Sequence, residues 1–339
     1  MYRFWSSIIE PLCTAANVGS IVEVGIGQGY MTRLLLSYAK RTHGRVHAVD
    51  PSPTCDMAAL CTEGGSAFTY YAEKSLDVLP RISADLVLID GDHNWYTVLH
   101  ELRTLSQWIP KPIIILHDTG WPYGRRDLYY DKECIPATYR HLSAKGGLQP
   151  SQAGFKSTSG LNAHLENALA EGGTQNGVKT AVEDFLAEEG GHWHWQELPG
   201  MHGLGILVLQ SRIHTHPVLR AFLDSVCPSR PLAAYMEAVE SDRLRELVQH
   251  ETLTHVCNEQ AHTLRATQQE NDELRRQNAD WKQSSSILQN EQLQLNKLID
   301  VLEHNQTHLQ ETLRRIHATR TIRWTAWLRK IAGKLQAKK

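Results

Sequence analysis

Two short runs hold the densest set of acid and base groups in the chain, Leu88-Ile89-Asp90-Gly91-Asp92-His93 and Ile115-Leu116-His117-Asp118-Thr119. Each closes an apolar run, ADLVLID or PIIILHD, of the kind that forms a buried strand. Carboxylates beside imidazoles at strand ends suit proton transfer, because an imidazole titrates near neutrality. A plainer reading competes with this one, in which Asp118 caps a turn and His93 is a satisfied polar residue. A third run, Val22-Glu23-Val24-Gly25-Ile26-Gly27-Gln28-Gly29-Tyr30, follows a strand and opens a helix. Its glycines let the backbone turn tightly and approach a ligand where a Cβ would collide. A nucleotide-like ligand is expected on this loop.

The dinucleotide fingerprint GxGxxG is not met, since Tyr30 stands three residues after Gly27. The second strand ends in His47-Ala48-Val49-Asp50, and an acidic side chain about 20 residues after the glycine loop can accept both ribose hydroxyls. This GxGxG loop with Asp50 resembles the first motif and ribose-binding carboxylate of class I S-adenosylmethionine (SAM)-dependent methyltransferases. The resemblance covers residues 20–210, and IDGDHNWYTVLHEL followed by IIILHDTG is similar to the DGDH subgroup, common among small-molecule and sugar O-methyltransferases.

The resemblance implies a Rossmann-like fold, SAM as cofactor and methyl transfer to a hydroxyl. It assigns Glu23, Gly25, Gly27, Gly29, Asp50 and Asp90 to the cofactor, with Ser75, in Ala72-Glu73-Lys74-Ser75, against the adenine. Methyl transfer is an in-line displacement, so the protein has to align donor and acceptor and remove the acceptor's proton. Related metal-dependent enzymes hold magnesium on carboxylates that end strands four and five, matching Asp90 and Asp118 here. The match departs at Thr119, where the metal-dependent pattern has Asn or Asp, and at His117 before it. Magnesium or another divalent metal on Asp90 and Asp118, and a metal-free histidine base with His93, His117 and Asp118 catalytic, both stay open.

The elements that must position these groups are short apolar runs alternating with amphipathic stretches: IVEVGI, RVHAVD, FTYYAE, ADLVLID, PIIILHD, HWHWQEL and GLGILVLQ. Such alternation predicts a doubly wound α/β domain over 1–212 with a mostly parallel seven-stranded sheet. The last two strands are joined only by Pro199-Gly200-Met201-His202-Gly203, too short for a crossover helix, so a terminal antiparallel hairpin is expected. Both polar clusters then lie at the carboxyl edge, where open α/β sheets bind ligands. The run Gly120–Tyr130 emerges there. Trp121 and Tyr123 are expected to stack on the acceptor, and Arg125 and Arg126 to pair with its phosphate or carboxylate, against the alternative that the loop only packs on the domain. Segment 143–177 reads as an insertion with lid character. Glu183 and Asp184 read as a solvated helix face, and the alternation His192-Trp193-His194-Trp195 as edge-strand packing.

Beyond a helical linker, 213–249, no Pro or Gly occurs between Pro231 and Gly333, which predicts one long helix. Steps of seven from Leu253 meet Gln260, Thr267, Leu274, Trp281, Leu288, Leu295, Leu302, Leu309 and Ile316, with a companion seam, Cys257, Leu264, Asn271, Asn278, Ser285, Gln292, Ile299, Gln306 and Leu313, that polar residues weaken. Residues 250–316 therefore read as a coiled coil that makes a homo-oligomer, against a solvated single helix favoured by Ser284-Ser285-Ser286. The tail 317–339 is basic, with no acid after Glu311, and Ile322, Trp324, Trp327, Leu328, Ile331 and Leu335 suggest an amphipathic helix at a membrane interface; the plainer reading is a charged helix end.

Net charge is −2, which speaks against a dedicated nucleic-acid partner. The six cysteines lie singly, without metal-thiolate spacing, and fit a reducing, cytoplasmic location. The N-terminal run lacks a signal-peptide core, and no stretch is long enough to span a membrane, leaving peripheral contact at the inner face of the cell membrane. The expected partner is a small-molecule or glycan acceptor. An oligomeric scaffold or regulator that binds the cofactor and recruits a glycan-assembly protein is the alternative.

Overall fold

The computed structural model describes residues 1–150 and 160–336. It divides into a compact unit, Met1–Cys257, and a second unit, Asn258–Lys339. The first unit is organised by a seven-stranded sheet in the order β3-β2-β1-β4-β5-β10-β9. Its strands are β1 Ser20–Val24, β2 Arg45–Val49, β3 Phe68–Tyr71, β4 Leu86–Ile89, β5 Ile113–His117, β9 Trp193–Leu198 and β10 Leu204–Leu209. All seven correspond to the apolar runs read from the sequence. β1–β5 run parallel, while β10 is antiparallel to both β5 and β9, so the expected hairpin is present.

Strand periodicity divides the core. Ile21, Ile113 and Ile115 face a cluster with Ile9, Leu12, Leu35 and Leu36. Their neighbours Val22, Val24, Ile114 and Leu116 face the opposite cluster with Trp95, Val98, Val182 and Phe185. A parallel strand covered on both faces has no solvent side, which is why these runs are apolar throughout rather than alternating. The covering helices are α1 Glu10–Ala15, α2 Tyr30–Thr42, α3 Met57–Gly64, α4 Ser75–Val78, α5 Trp95–Leu105 and α6 Val178–Glu188. On β9, Trp193 is buried against Phe185, and Trp195 packs over Gly205 of the adjacent strand. The alternating His-Trp run is thus edge-strand packing.

The insertion after β5 folds into a three-stranded sheet of β6 Leu128–Tyr129, β7 Ser143–Lys145 and β8 Glu166–Ala168. Residues 151–159 of the expected lid lie outside the described residues.

The segment read as a linker folds onto the domain. Between α7 Gln210–Thr215 and the long helix α9 Arg230–Gln336 stands α8 Pro217–Val226, whose Leu219 and Leu223, four residues apart on one face, enter the core. Leu244 and Val248 of α9 are buried by the same spacing, and Val248 packs with Tyr123, Leu128, Leu148 and Leu161. The compact unit therefore runs to Cys257. From Asn258 onward α9 is a single helix whose Leu264, Leu274, Leu288 and Leu295 are exposed. No described helix is long and apolar enough to cross a membrane. Lys338, Lys339 and the side chain of Leu335 lie outside the described residues.

Candidate active site

Register brings the catalytic candidates to one edge. Val24 pairs with both Val49 and Ile89, and Ile89 with Leu116, so the chain leaves β1, β2, β4 and β5 at nearly the same level. A cavity of about 410 Å³ opens there, within the range of about 300–1,000 Å³ usual for small-molecule sites. Its wall includes Gly25, Ile26, Gly27 and Gln28 from the glycine loop, with Asp90, His93, His117, Asp118, Tyr123, Tyr130 and His202 opposite.

The loop glycines have different jobs. A Cβ on Gly25, whose φ is +90°, would lie 2.3 Å from the carbonyl oxygen of Asp90, so this glycine lets the exits of β1 and β4 touch. Gly27, at φ +51°, has open space where its Cβ would be, as a ligand-facing position requires. Gly29, at φ +74°, caps α2, and a Cβ there would come within 3.1 Å of Cys55 and Leu60. Asp50 Oδ2 accepts from the amides of Ile26 (2.8 Å) and Gly27 (3.2 Å), and Oδ1 from Ser52 (2.8 Å). A carboxylate offers about four lone-pair sites, so Asp50 can hold the loop and still accept ribose hydroxyls.

Glu23 lies beneath the loop, 2 % exposed, outside the cavity wall. Burial pushes its carboxyl up to about 8, and the charges of Asp90 and Asp50 add to the effect. Ser75 is also buried, and its hydroxyl is committed to Glu101 on α5, not turned to the cavity.

At the other wall Asp118 is the centre. His117 Nδ1 stands 2.8 Å from Asp118 Oδ2 and 3.1 Å from Asp90 Oδ1, and His93 Nδ1 stands 3.1 Å from the same Asp118 oxygen. Asp118 itself adopts φ +59°, a left-handed conformation that Asp tolerates better than most residues. Burial alone would raise its carboxyl, but His117 and His93 outweigh burial and hold it well below the usual carboxylate range. Burial likewise disfavours the His117 imidazolium, yet the two carboxylates push it up to about 10. The two carboxylates thus favour the imidazolium form of His117. His93 differs: its Nδ1 stands close to Asp118 alone, and among the described residues no hydrogen bond is seen at its Nε2.

Asp90, His117 and Asp118 each offer a ligand atom within 4.8 Å of the others. Two carboxylate oxygens and an imidazole nitrogen form a donor set that fits a divalent cation once His117 Nδ1 has lost its proton.

The expected acceptor contacts divide. Tyr123 is buried beside His93, ring centroids 5.6 Å apart, with its hydroxyl between Asn162 and Asn167. Trp121 lines a neighbouring cavity of about 540 Å³ instead. The two arginines point away from both cavities. Arg125 forms a two-pronged ion pair with Glu183 on α6, at 2.6 and 2.7 Å. Arg126 is 2 % exposed and donates to the carbonyls of Ala168 and Leu169 and to Glu171. A guanidinium this buried has to be paired internally, which leaves no fork for an acceptor anion. Glu183 is exposed on α6, as read, and pairs there with Arg125, while the half-buried Asp184 accepts from Trp95 Nε1.

Tyr130, Asn162 and His202 are among the wall residues that were not assigned from the sequence. A signal for His202 was available. β10 runs against β5, with Leu204 opposite His117, so the turn before β10 has to lie at the carboxyl edge.

Residues 22–119, from the glycine loop to the Asp118 cluster, match the family model of a methyltransferase domain. Together with the strand order, the glycine loop and Asp50, this match gives residues 22–119 the character of a methyltransferase domain. A comparison with curated proteins gives no significant match. Among solved structures, the chain is similar to a Podospora anserina methyltransferase bound to S-adenosylhomocysteine (SAH), with 16% identity, 59% of this chain and 76% of that chain covered, and a TM-score of 0.37. It is also similar to human N-acetylserotonin methyltransferase in complex with SAM, with 16% identity, 61% and 53% covered, and a TM-score of 0.34. A third is the O-methyltransferase TomG from Streptomyces achromogenes, at 12% identity, 58% and 76% covered, and 0.31.

Proposed function

We propose that the protein transfers the methyl group of SAM to a hydroxyl of a small, sugar-containing or otherwise hydroxylated acceptor. The observation that carries this reading is the Asp118 carboxylate shared by His117 and His93 on the wall of the cavity that begins at the glycine loop. An alcohol is a poor nucleophile until it loses its proton. Asp118 orients His93 through Nδ1 and stabilises the imidazolium formed when Nε2 takes that proton. Displacement at the sulfonium methyl then forms the oxygen–carbon bond, breaks the sulfur–carbon bond and releases SAH. A divalent cation bound by Asp90, Asp118 and His117 would lower the hydroxyl pKa.

Tyr130, with its ring centroid 6.1 Å from that of His93, supplies an aromatic face against a sugar or planar ring. The exposed leucines of 250–316 support assembly of this domain as a homo-oligomer. The basic, tryptophan-bearing stretch after residue 317 supports contact with an anionic membrane surface from the cytoplasmic side.

The test is transfer of labelled methyl from SAM to a panel of glycans and phenols, in chelator and in added magnesium. Transfer that survives chelation and is lost in His93→Ala supports the histidine route; transfer lost in chelator and restored by magnesium supports the metal. A folded protein that binds SAH but methylates no hydroxyl compound would favour the scaffold reading.

A further inference from the structure

We propose that Glu240 and Arg243, on the first turns of α9, are positioning residues of the active site: they hold the turn that carries His202 and, through it, the backbone that presents Asp118. The inference rests on the cavity's being the methyl-transfer site.

The turn between β9 and β10 is costly by itself. Gly200, Met201, His202 and Gly203 have φ of 105°, 49°, 71° and 87°, and two of the four carry side chains in a conformation that favours glycine. Successive residues of this kind aim their amides into a common concavity suited to an anion. Glu240 supplies it. Its Oε2 accepts from the Met201 amide at 2.9 Å and its Oε1 from the His202 amide at 2.8 Å. Arg243, one helical turn on, grips both oxygens at 2.7 and 2.6 Å.

The same guanidinium stands 3.2 Å from His202 Nε2, while His202 Nδ1 stands 3.0 Å from the Trp121 carbonyl. A carbonyl only accepts and a guanidinium only donates, so the proton sits on Nδ1 and Nε2 offers its lone pair to Arg243. His202 is thereby fixed as a neutral wall of the cavity, 6.4 Å from His117 between ring centroids.

From the turn the constraint passes to Asp118 through the backbone. The His202 carbonyl accepts from the Gly120 amide at 2.7 Å, and a Cβ on Gly203 would come within 2.5 Å of Thr119 Oγ1. Thr119 and Gly120 are the residues next to Asp118, whose own φ is +59°. The clamp is seated by the buried Leu244 and Val248 on the same helix. A chain ending before Glu240 would keep the whole sheet and lose this brace.

The experiment is hydrogen–deuterium exchange on the full chain, wild type against Glu240→Ala, with histidine side-chain nitrogen NMR on the same samples. The expected result is exchange about tenfold faster or more over 199–205 and 118–124, unchanged exchange over β1 and β2, and loss of the fixed Nδ1–H signature of His202. Glu240→Gln, which keeps one acceptor oxygen, should fall between. If Glu240→Ala loses protection across the whole of 1–257, Arg243→Gln, which leaves the carboxylate, is read by the same two signals. A folded variant with unchanged exchange over 118–124 and an unchanged His202 signature overturns the proposal. Failure of wild type to bind SAH would instead sink the methyl-transfer reading and leave the exchange result standing.

Discussion

The two walls of the cavity are built in different ways. The cofactor wall comes from one β-α-β stretch, residues 22–50, in which Asp50 ties back to the amides of Ile26 and Gly27. The opposite wall draws Asp90, His93, Asp118, Tyr130, Asn162 and His202 from separate loops, braced by a helix that begins at Arg230. One is held by local backbone chemistry and the other by contacts between distant segments. Substitutions should therefore act on ligand affinity at the first wall, and on turnover or loop order at the second.

The largest effect is expected from Asp118→Ala, which leaves both His93 and His117 without their shared carboxylate. Methyl transfer should fall by on the order of 10²–10⁴ with SAH affinity nearly unchanged, as read by labelled-methyl assay and calorimetry. Equal losses in both would mean that the two walls are not separable.

Next comes a pair within the glycine loop. Gly25→Ala meets the Asp90 carbonyl and should cost about 1–3 kcal/mol of stability in denaturant unfolding. Gly27→Ala has open space, so its stability loss should be smaller, about 1–2 kcal/mol from the left-handed backbone, with the main effect on SAH affinity. Equal affinity in the Gly27 variant would show that the cofactor does not lie on this loop.

The third concerns pH. Glu101, beside Ser75, is raised from 4.5 to about 8 by burial. The folded state then binds more protons than the unfolded state across that interval, so this group's contribution to stability falls as pH rises from about 4.5 towards 8. Glu101→Gln should flatten that fall in melting temperature. An unchanged pH profile would contradict a protonated, buried Glu101.

The smallest effect is that of Arg125→Ala. Its partner Glu183 is a half-exposed helix residue, so loss of the pair should cost about 0.2–1 kcal/mol in thermal unfolding. A complete loss of methyl transfer in a stable variant would restore the acceptor role that its position in the sequence suggested.

What was legible in the sequence follows the same division. The central parallel strands could be read because a strand buried on both faces has to be apolar, as LVLI is, and the terminal antiparallel pair because only a short turn joins its two apolar runs. The glycine loop, Asp50 and the Asp90–Asp118 edge were legible because turn geometry and strand ends are local properties. The roles of Arg125 and Arg126 were not. Nothing near residue 125 announces that Glu183 or the carbonyl of Ala168 lies within reach, and a basic run on a ligand-binding edge looks alike whether it faces outward or inward. Leu244 and Val248 were hidden for a related reason: their spacing reads equally as core packing or as the start of an oligomer seam.

Calorimetric titration of the full chain with SAH, wild type against Asp50→Ala, tests whether the glycine loop and Asp50 hold the cofactor. Binding on the order of micromolar in wild type, lost in the variant while the fold persists, is the expected result. A folded wild-type protein that takes up no SAH would contradict the account.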